Sequence, residues 1–203
     1  FPAAAVAKLT RLAEPLGLKH PIIVANEPIR VEELIVPKQG FGMGELIKGS
    51  AEFREFINAH AGVEIPAEGS ERLYISRSKL PPMRGSLLGE GRIEDYLSDE
   101  GFEIFHPQFA SPEEQIARYK AAKVIVGVDC SPMHLVGYVG SHDQRVAILS
   151  RRSMEISDYL VEQLRSFKGM FAIHIDALVN DWMPQPSTRP SRTSFGEIDF
   201  RKL

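Results

Sequence analysis

From residue 73 onward, short apolar runs alternate with amphipathic stretches, a rhythm that predicts strands and helices in strict succession. The apolar runs fall at 73–76, 102–105, 123–127, 146–149 and 171–175. Helical periodicity fills 92–100, closed by Gly101, then 111–122, 132–139 and 154–167. The 111–122 segment opens with a capping box: Ser111 at the cap, Pro112 at the first helical position and Glu114 three residues on. Strands that are apolar throughout are buried on both faces, and strands followed by helices run parallel. The expected fold is therefore α/β, a Rossmann-like parallel sheet with helices on both faces.

Upstream the pattern is less regular. Residues 3–16 read as an amphipathic helix ended by Gly17, 21–25 as a short strand, and 31–36 as another strand or the end of one layer. Gly40, Gly42, Gly44 and Gly49 make 37–49 a loop, and 51–60 reads as a helix. Residues 61–70 form the linker. The division is then 1–70 as the end of a preceding domain, 71–182 as the sheet domain, and 183–203 as a tail that wraps the surface or frays.

Composition narrows the function classes. With 203 residues, 43% of them hydrophobic, the chain can bury a sizeable core. A net charge of −3 argues against a nucleic-acid partner. The single cysteine, Cys130, leaves no internal disulfide framework and no cysteine-based zinc site, which fits a reducing, cytoplasmic compartment. No stretch reaches the roughly 18–20 apolar residues of a membrane span. The chain starts at Phe1 without a signal peptide and reads as the interior of a longer protein.

Two stretches carry candidate chemistry. In 73–90 a strand ends in Ser76-Arg77, followed by a loop with Lys79 and Arg84. Ligands of open α/β sheets sit beyond the carboxyl ends of the strands, where guanidinium groups can grip a diphosphate. An ordinary solvated loop has the same composition. In 123–134 a buried strand runs through Gly127 into a turn and a helix, with Ser131 as expected N-cap and Pro132 at the first helical position. Asp129 could cap that helix or hold a ribose hydroxyl, and would repel a phosphate set directly against it. His134, one turn in, either faces the pocket or packs.

Weaker features complete the survey. Gly40-x-Gly42-x-Gly44 lacks the dinucleotide spacing. His174 and Asp176 share a strand face but are too few for a metal. Cys130 reads as a small buried residue at a tight turn rather than a nucleophile. Arg151-Arg152 follow a strand end and so point toward the ligand edge, or are solvated loop residues.

Taken in order, Ser76, Arg77, Arg84, Glu90, Gly101, Phe102, Glu103, Pro107, Ser111, Gln115, Ala122, Val124, Val126 and Gly127 resemble the family 61 glycosyltransferases, which include capsular polysaccharide biosynthesis proteins. Two departures stand out. Gly89 occupies the place of an Asn before Glu90, and Asp129-Cys130 replace His-Gly after the Gly127 turn. The following Ser-Pro-Met-His-Leu is closer to the turn of heptosyltransferases.

The resemblance implies the C-terminal, donor-binding half of a GT-B architecture that moves a sugar from a nucleotide-sugar to a glycan or lipid-linked glycan acceptor in bacterial surface polysaccharide synthesis. It implies no metal or other cofactor, and a cytoplasmic site near the inner membrane. Its implied donor-binding set is Ser76, Arg77, Arg84, Glu90, Gly127, Asp129, Ser131 and His134. The general base would come from the other domain, so the fragment would bind donor without turning over alone. A heptosyltransferase-like enzyme and a non-catalytic nucleotide- or glycan-binding module are the alternatives.

Overall fold

The computed structural model describes residues 3–203. Helices α1 (Ala3–Ala13) and α2 (Ala51–His60) precede the sheet. Then β1 (Arg72–Ile75), α3 (Glu90–Asp99), β2 (Glu103–Phe105), α4 (Pro112–Ala121), β3 (Val124–Val128), α5 (Pro132–Val139), β4 (Arg145–Leu149), α6 (Ile156–Lys168) and β5 (Phe171–Ile175) alternate without exception. The expected α/β reading holds: five strands, all parallel, lie in the order β2-β1-β3-β4-β5. The Ser111 cap is also present, its hydroxyl accepting from Glu114 N at 3.1 Å. Ser50 caps α2 the same way through Phe53 N at 3.2 Å.

The strand order decides where a ligand can sit. The chain leaves β1 in one direction, to β2, and then travels the other way through β3, β4 and β5. Right-handed crossovers consequently put α3 on one face and α4, α5 and α6 side by side on the other. Between β1 and β3 the direction reverses, which opens a crevice beyond their carboxyl ends.

Alternation along β1 serves both faces. Tyr74 turns to α3, where its hydroxyl meets Glu90, while Ile75 sits against β3 and the Met133 side of α5. Leu73, Tyr74, Ile75, Ile125 and Ile148 are fully buried. Each such aliphatic side chain stabilises the fold by roughly 1.5–3 kcal/mol. Gly127 in β3 belongs to this packing, because a Cβ there would stand 2.5 Å from Met133 Cε and 3.1 Å from Ile75 Cβ and carbonyl oxygen.

Three upstream and downstream expectations change. Residues 21–25 and 31–36 form no strand, and Ile23, Leu34, Ile35 and Val36 are exposed. An apolar run becomes a strand only beside an edge that can accept its hydrogen bonds, and neither run is paired. The glycine-rich stretch is not a free loop. Gly44–Lys48 forms a 3₁₀ turn, and Phe41 stacks on Phe53 at 5.7 Å and packs edge-on to Phe167 and Tyr138.

The tail is built into the molecule rather than frayed. Strands β6 (Leu178–Trp182) and β7 (Phe195–Ile198) form an antiparallel pair. On its other side β7 is tied to the loop after β1: Gly196 N donates to Ser86 O at 2.9 Å, and Leu88 N donates to Gly196 O at 2.8 Å. No helix among the described residues is long and apolar enough to cross a membrane.

Candidate functional site

Beyond β1 the chain turns so that its backbone and side chains converge on one carboxylate. Glu90 opens α3 and is buried. Its oxygens accept from Arg77 N at 2.7 Å, from Tyr74 Oη at 3.2 Å, and from the Ser86 hydroxyl. One helical turn on, Glu94 accepts from Ser78 Oγ at 2.6 Å and from the Ser76 hydroxyl. These bonds fix the strand end against the helix start, where a carboxylate also meets the positive end of the helix dipole.

Gly89, immediately before, has φ +75° and ψ 21°. That left-handed conformation is open to Gly and, among the other residues, best to Asn. Gly89 therefore meets a backbone requirement that, among side-chain-bearing residues, Asn meets best.

Arg77 is held by its far end. Its Nη2 donates to the Arg84 and Gly85 carbonyls at 2.7 and 3.0 Å, leaving Nε buried without a hydrogen bond. The loop can offer those carbonyls because Gly85 adopts φ +62° and lies flat against the Ser194 carbonyl, where any Cβ would overlap. An open cleft of about 270 Å³ is bordered by Arg77, Ser78, Pro81, Ser86, Glu90 and Phe195. The C-terminal strap thus supplies one wall of it.

Next to this cleft, the ends of β3 and β4 meet. Asp129 is fully buried, with its Oδ1 3.0 Å from Arg151 Nε and 3.3 Å from Arg152 Nη2. Neither N–H is aimed at Oδ1, which keeps charge contacts but no hydrogen bond. Arg151 Nε instead donates to the Asp129 carbonyl at 3.0 Å, and Nη1 to Ser194 O at 3.4 Å. Burial pushes the Asp129 carboxyl up from its ordinary range, against the pull of Arg151, Arg152 and Arg77. Burial also brings Arg151 down to about 10, so it stays charged at neutral pH.

The residues singled out in the sequence separate into two groups. Ser76, Arg77, Glu90 and Asp129 gather at the β1–β3 crevice. Four others do not join them. Arg84 is exposed, and it meets Arg77 through its backbone carbonyl. Gly127 lies within the sheet as a packing residue. Ser131 makes no side-chain cap, since its backbone is already helical at φ −57° and ψ −35°. His134 turns away to α6, where Nδ1 pairs with Gln163 and the ring meets Phe41 edge-on. Its phase on α5 aims it between helices rather than at the strand ends.

Tyr74, Ser86, Glu94 and Phe195 were not visible as site residues, because only the fold brings them to this edge. Arg151 and Arg152 carried one signal, their position just past a strand. Cys130 is buried with its thiol pushed up to about 12, which suits packing rather than nucleophilic attack. His174 pairs with Asp158 of α6 at 2.7 Å, not with Asp176. Among the described residues no three His, Cys, Asp or Glu side chains converge as a metal site requires.

Comparison with known families gives one match. Residues 3–148 match the model of the family Glycosyltransferase 61. No curated protein and no solved structure matches the chain. The matched stretch ends within β4, so Arg151, Arg152 and the C-terminal strap lie beyond it.

Proposed function

Because the chain belongs to the glycosyltransferase 61 family, we propose that its sheet domain holds a nucleotide-sugar donor and presents it for transfer to a glycan acceptor. The observation that supports this most is the convergence of Arg77 and the Glu90 network on the β1–β3 crevice, the place where doubly wound sheets bind ligands. Transfer forms a bond from acceptor oxygen to the sugar's anomeric carbon and breaks the bond to the donor phosphate, which leaves with the electron pair. A fixed guanidinium stabilises that growing charge without reorganising. Ser76, Ser78 and Glu94 offer neighbouring groups for sugar or ribose hydroxyls.

In this reading 71–182 is the donor half of a two-domain GT-B enzyme, and 1–70 ends the other half. The acceptor's proton goes to a base on that other half, and the leaving group's charge is met by arginine rather than by a metal. The acceptor is a bacterial surface glycan, capsular in type, extended at the cytoplasmic side of the membrane.

Calorimetric titration of UDP and ADP into the chain tests the donor site. A nucleoside diphosphate should bind, and Arg77→Ala should weaken it about tenfold or more. Absence of binding at millimolar nucleotide, or affinity indifferent to Arg77, overturns the reading. Sugar transfer by these 203 residues alone would overturn the assignment of the base to another domain. The Asp129-Cys130 turn favours a second reading, a heptosyltransferase-like enzyme, which preference for ADP over UDP would support.

A further inference from the structure

We infer that Arg77, Arg151 and Arg152 form a phosphate subsite around Asp129, with Arg152 the arm that closes on the ligand; this rests on the donor reading above. Two strand ends, those of β1 and β4, bring three guanidinium groups toward one carboxylate at the end of β3, with Arg151 and Arg152 in contact with it. Arg77 is near enough to act on the charges of both Asp129 and Arg151. At Asp129 the guanidinium groups outnumber the carboxylate, and the Arg151 and Arg152 side chains that touch it are only 3% and 12% exposed, while Glu90 and Glu94 lie on the Arg77 side of the crevice. Uncompensated charge is costly to bury, and an anion that completes the set removes the cost.

Hydrogen bonding points the same way. Among the described residues five buried side-chain polar atoms have no hydrogen-bond partner, and two of them are the N–H donors Arg77 Nε and Arg152 Nε, which suit an anion; Asp129 Oδ1, a third, is an acceptor held by its charge contacts with Arg151 and Arg152. Their clustering is unlike the rest of the interior, where such groups are paired. The three arginines are not equivalent. Arg77 is anchored by two carbonyls and Arg151 by two others. Arg152 has its charge contact with Asp129, and its guanidinium donates no hydrogen bond among the described residues. Arg151 is then a positioning residue that sets the field, while Arg77 and Arg152 retain donors for a ligand.

Phosphate fits better than the alternatives. A guanidinium fork matches two phosphate oxygens, and a diphosphate supplies the negative charge by which Asp129 falls short of Arg151 and Arg152. A divalent cation would be repelled by the same field, so chelator should not alter binding at this subsite.

The test uses the whole chain, with inorganic pyrophosphate, UDP, ADP and the matching nucleosides as probes, and thermal melts to check folding. Arg152→Gln should lose about tenfold or more in affinity for pyrophosphate and for the nucleoside diphosphate, with nucleoside binding unchanged. The dependence of affinity on salt should become shallower. If the diphosphate binds Arg152→Gln within twofold of the parent while Arg77→Ala loses it, the subsite is overturned and the donor reading stands. If pyrophosphate binding depends on Arg152 but no nucleotide binds, the subsite stands and the donor reading falls. If neither probe binds the parent chain, both fall. Should Arg152→Gln fail to fold, Arg152→Lys keeps the charge without the planar fork and should still lose several-fold; full retention of affinity by it overturns the fork.

Discussion

Removing the charge of Asp129 tests whether the three strand ends are held together by ion pairing. In Asp129→Asn the shape is kept, and the buried carboxylate in contact with Arg151 and Arg152 is lost. At 3.0 and 3.3 Å, each contact has a gross Coulomb energy of about 5 kcal/mol at an effective dielectric near 20. Desolvation of the ions offsets much of that in the intact pair, so the pair as a whole adds little over an apolar core. The single variant is different, because it leaves Arg151 buried and repelled by Arg152. Breaking such a pair from one side costs at most about 3–5 kcal/mol, reduced here because the variant also sheds the desolvation that pushes the Asp129 carboxyl up. Against a typical total of about 5–15 kcal/mol, the variant should be measurably less stable than the parent.

Urea unfolding followed by circular dichroism reads this as a lower midpoint with an unchanged slope. Two further measurements follow from the same reasoning. Asp129→Asn with Arg151→Met should recover much of the loss, since only Arg152, the less buried of the two arginines, is then left without its counter-ion. Saturating pyrophosphate should stabilise Asp129→Asn more than the parent, because the ligand takes over as counter-ion. A loss under about 1 kcal/mol, or no recovery in the double variant, would refute the ion-pair account.

Three other outcomes are expected. His134 and His106 are both held below the ordinary imidazole range, chiefly by burial. Their folded pKa lies under the unfolded one, so stability is full above pH about 6.5 and declines as pH falls through that value; urea midpoints between pH 7.5 and 5 should show it. Asp129 works in the opposite sense, so His134→Gln, which should flatten the slope, isolates the imidazole part. Cys130, with its thiol at about 12, should alkylate at pH 8 at least about a thousandfold more slowly in the folded chain than in urea, measured by mass spectrometry. Gly127→Ala should lose about 1–3 kcal/mol in the same urea assay, because the new methyl meets Met133 and the Ile75 backbone; a neutral result would show that β1 and β3 can spread.

What could be read from the chain alone was what depends on neighbours in sequence. Apolar runs and helical periodicity located the parallel strands and the helices between them, and the Ser111 box placed the start of α4. Those signals act over a few residues and survive folding. The strand order could not be read, because it depends on which edges pair across the whole molecule. The exposed runs at 21–25 and 31–36 show the limit of the same signal, since nothing in an apolar pattern reports whether a partner edge exists.

The site follows the same division, and for a reason that makes it testable. Ser76-Arg77, Asp129 and Arg151-Arg152 each stand just past an apolar run, so each was marked separately as lying at the ligand edge. Their convergence needs β1, β3 and β4 to be consecutive neighbours, a fact of the sheet and not of spacing. Residues that qualified only through helix position, Ser131 and His134, did not converge, because a helix start is fixed by backbone and its side chains rotate away within a turn. Strand ends in a parallel sheet all open on one edge, whatever the helices between them do. A charge placed one to three residues past these strands is thereby brought to the crevice before any cap or helix phase is decided. The Arg152 comparison tests that commitment at the strand end beyond the stretch that matches the family.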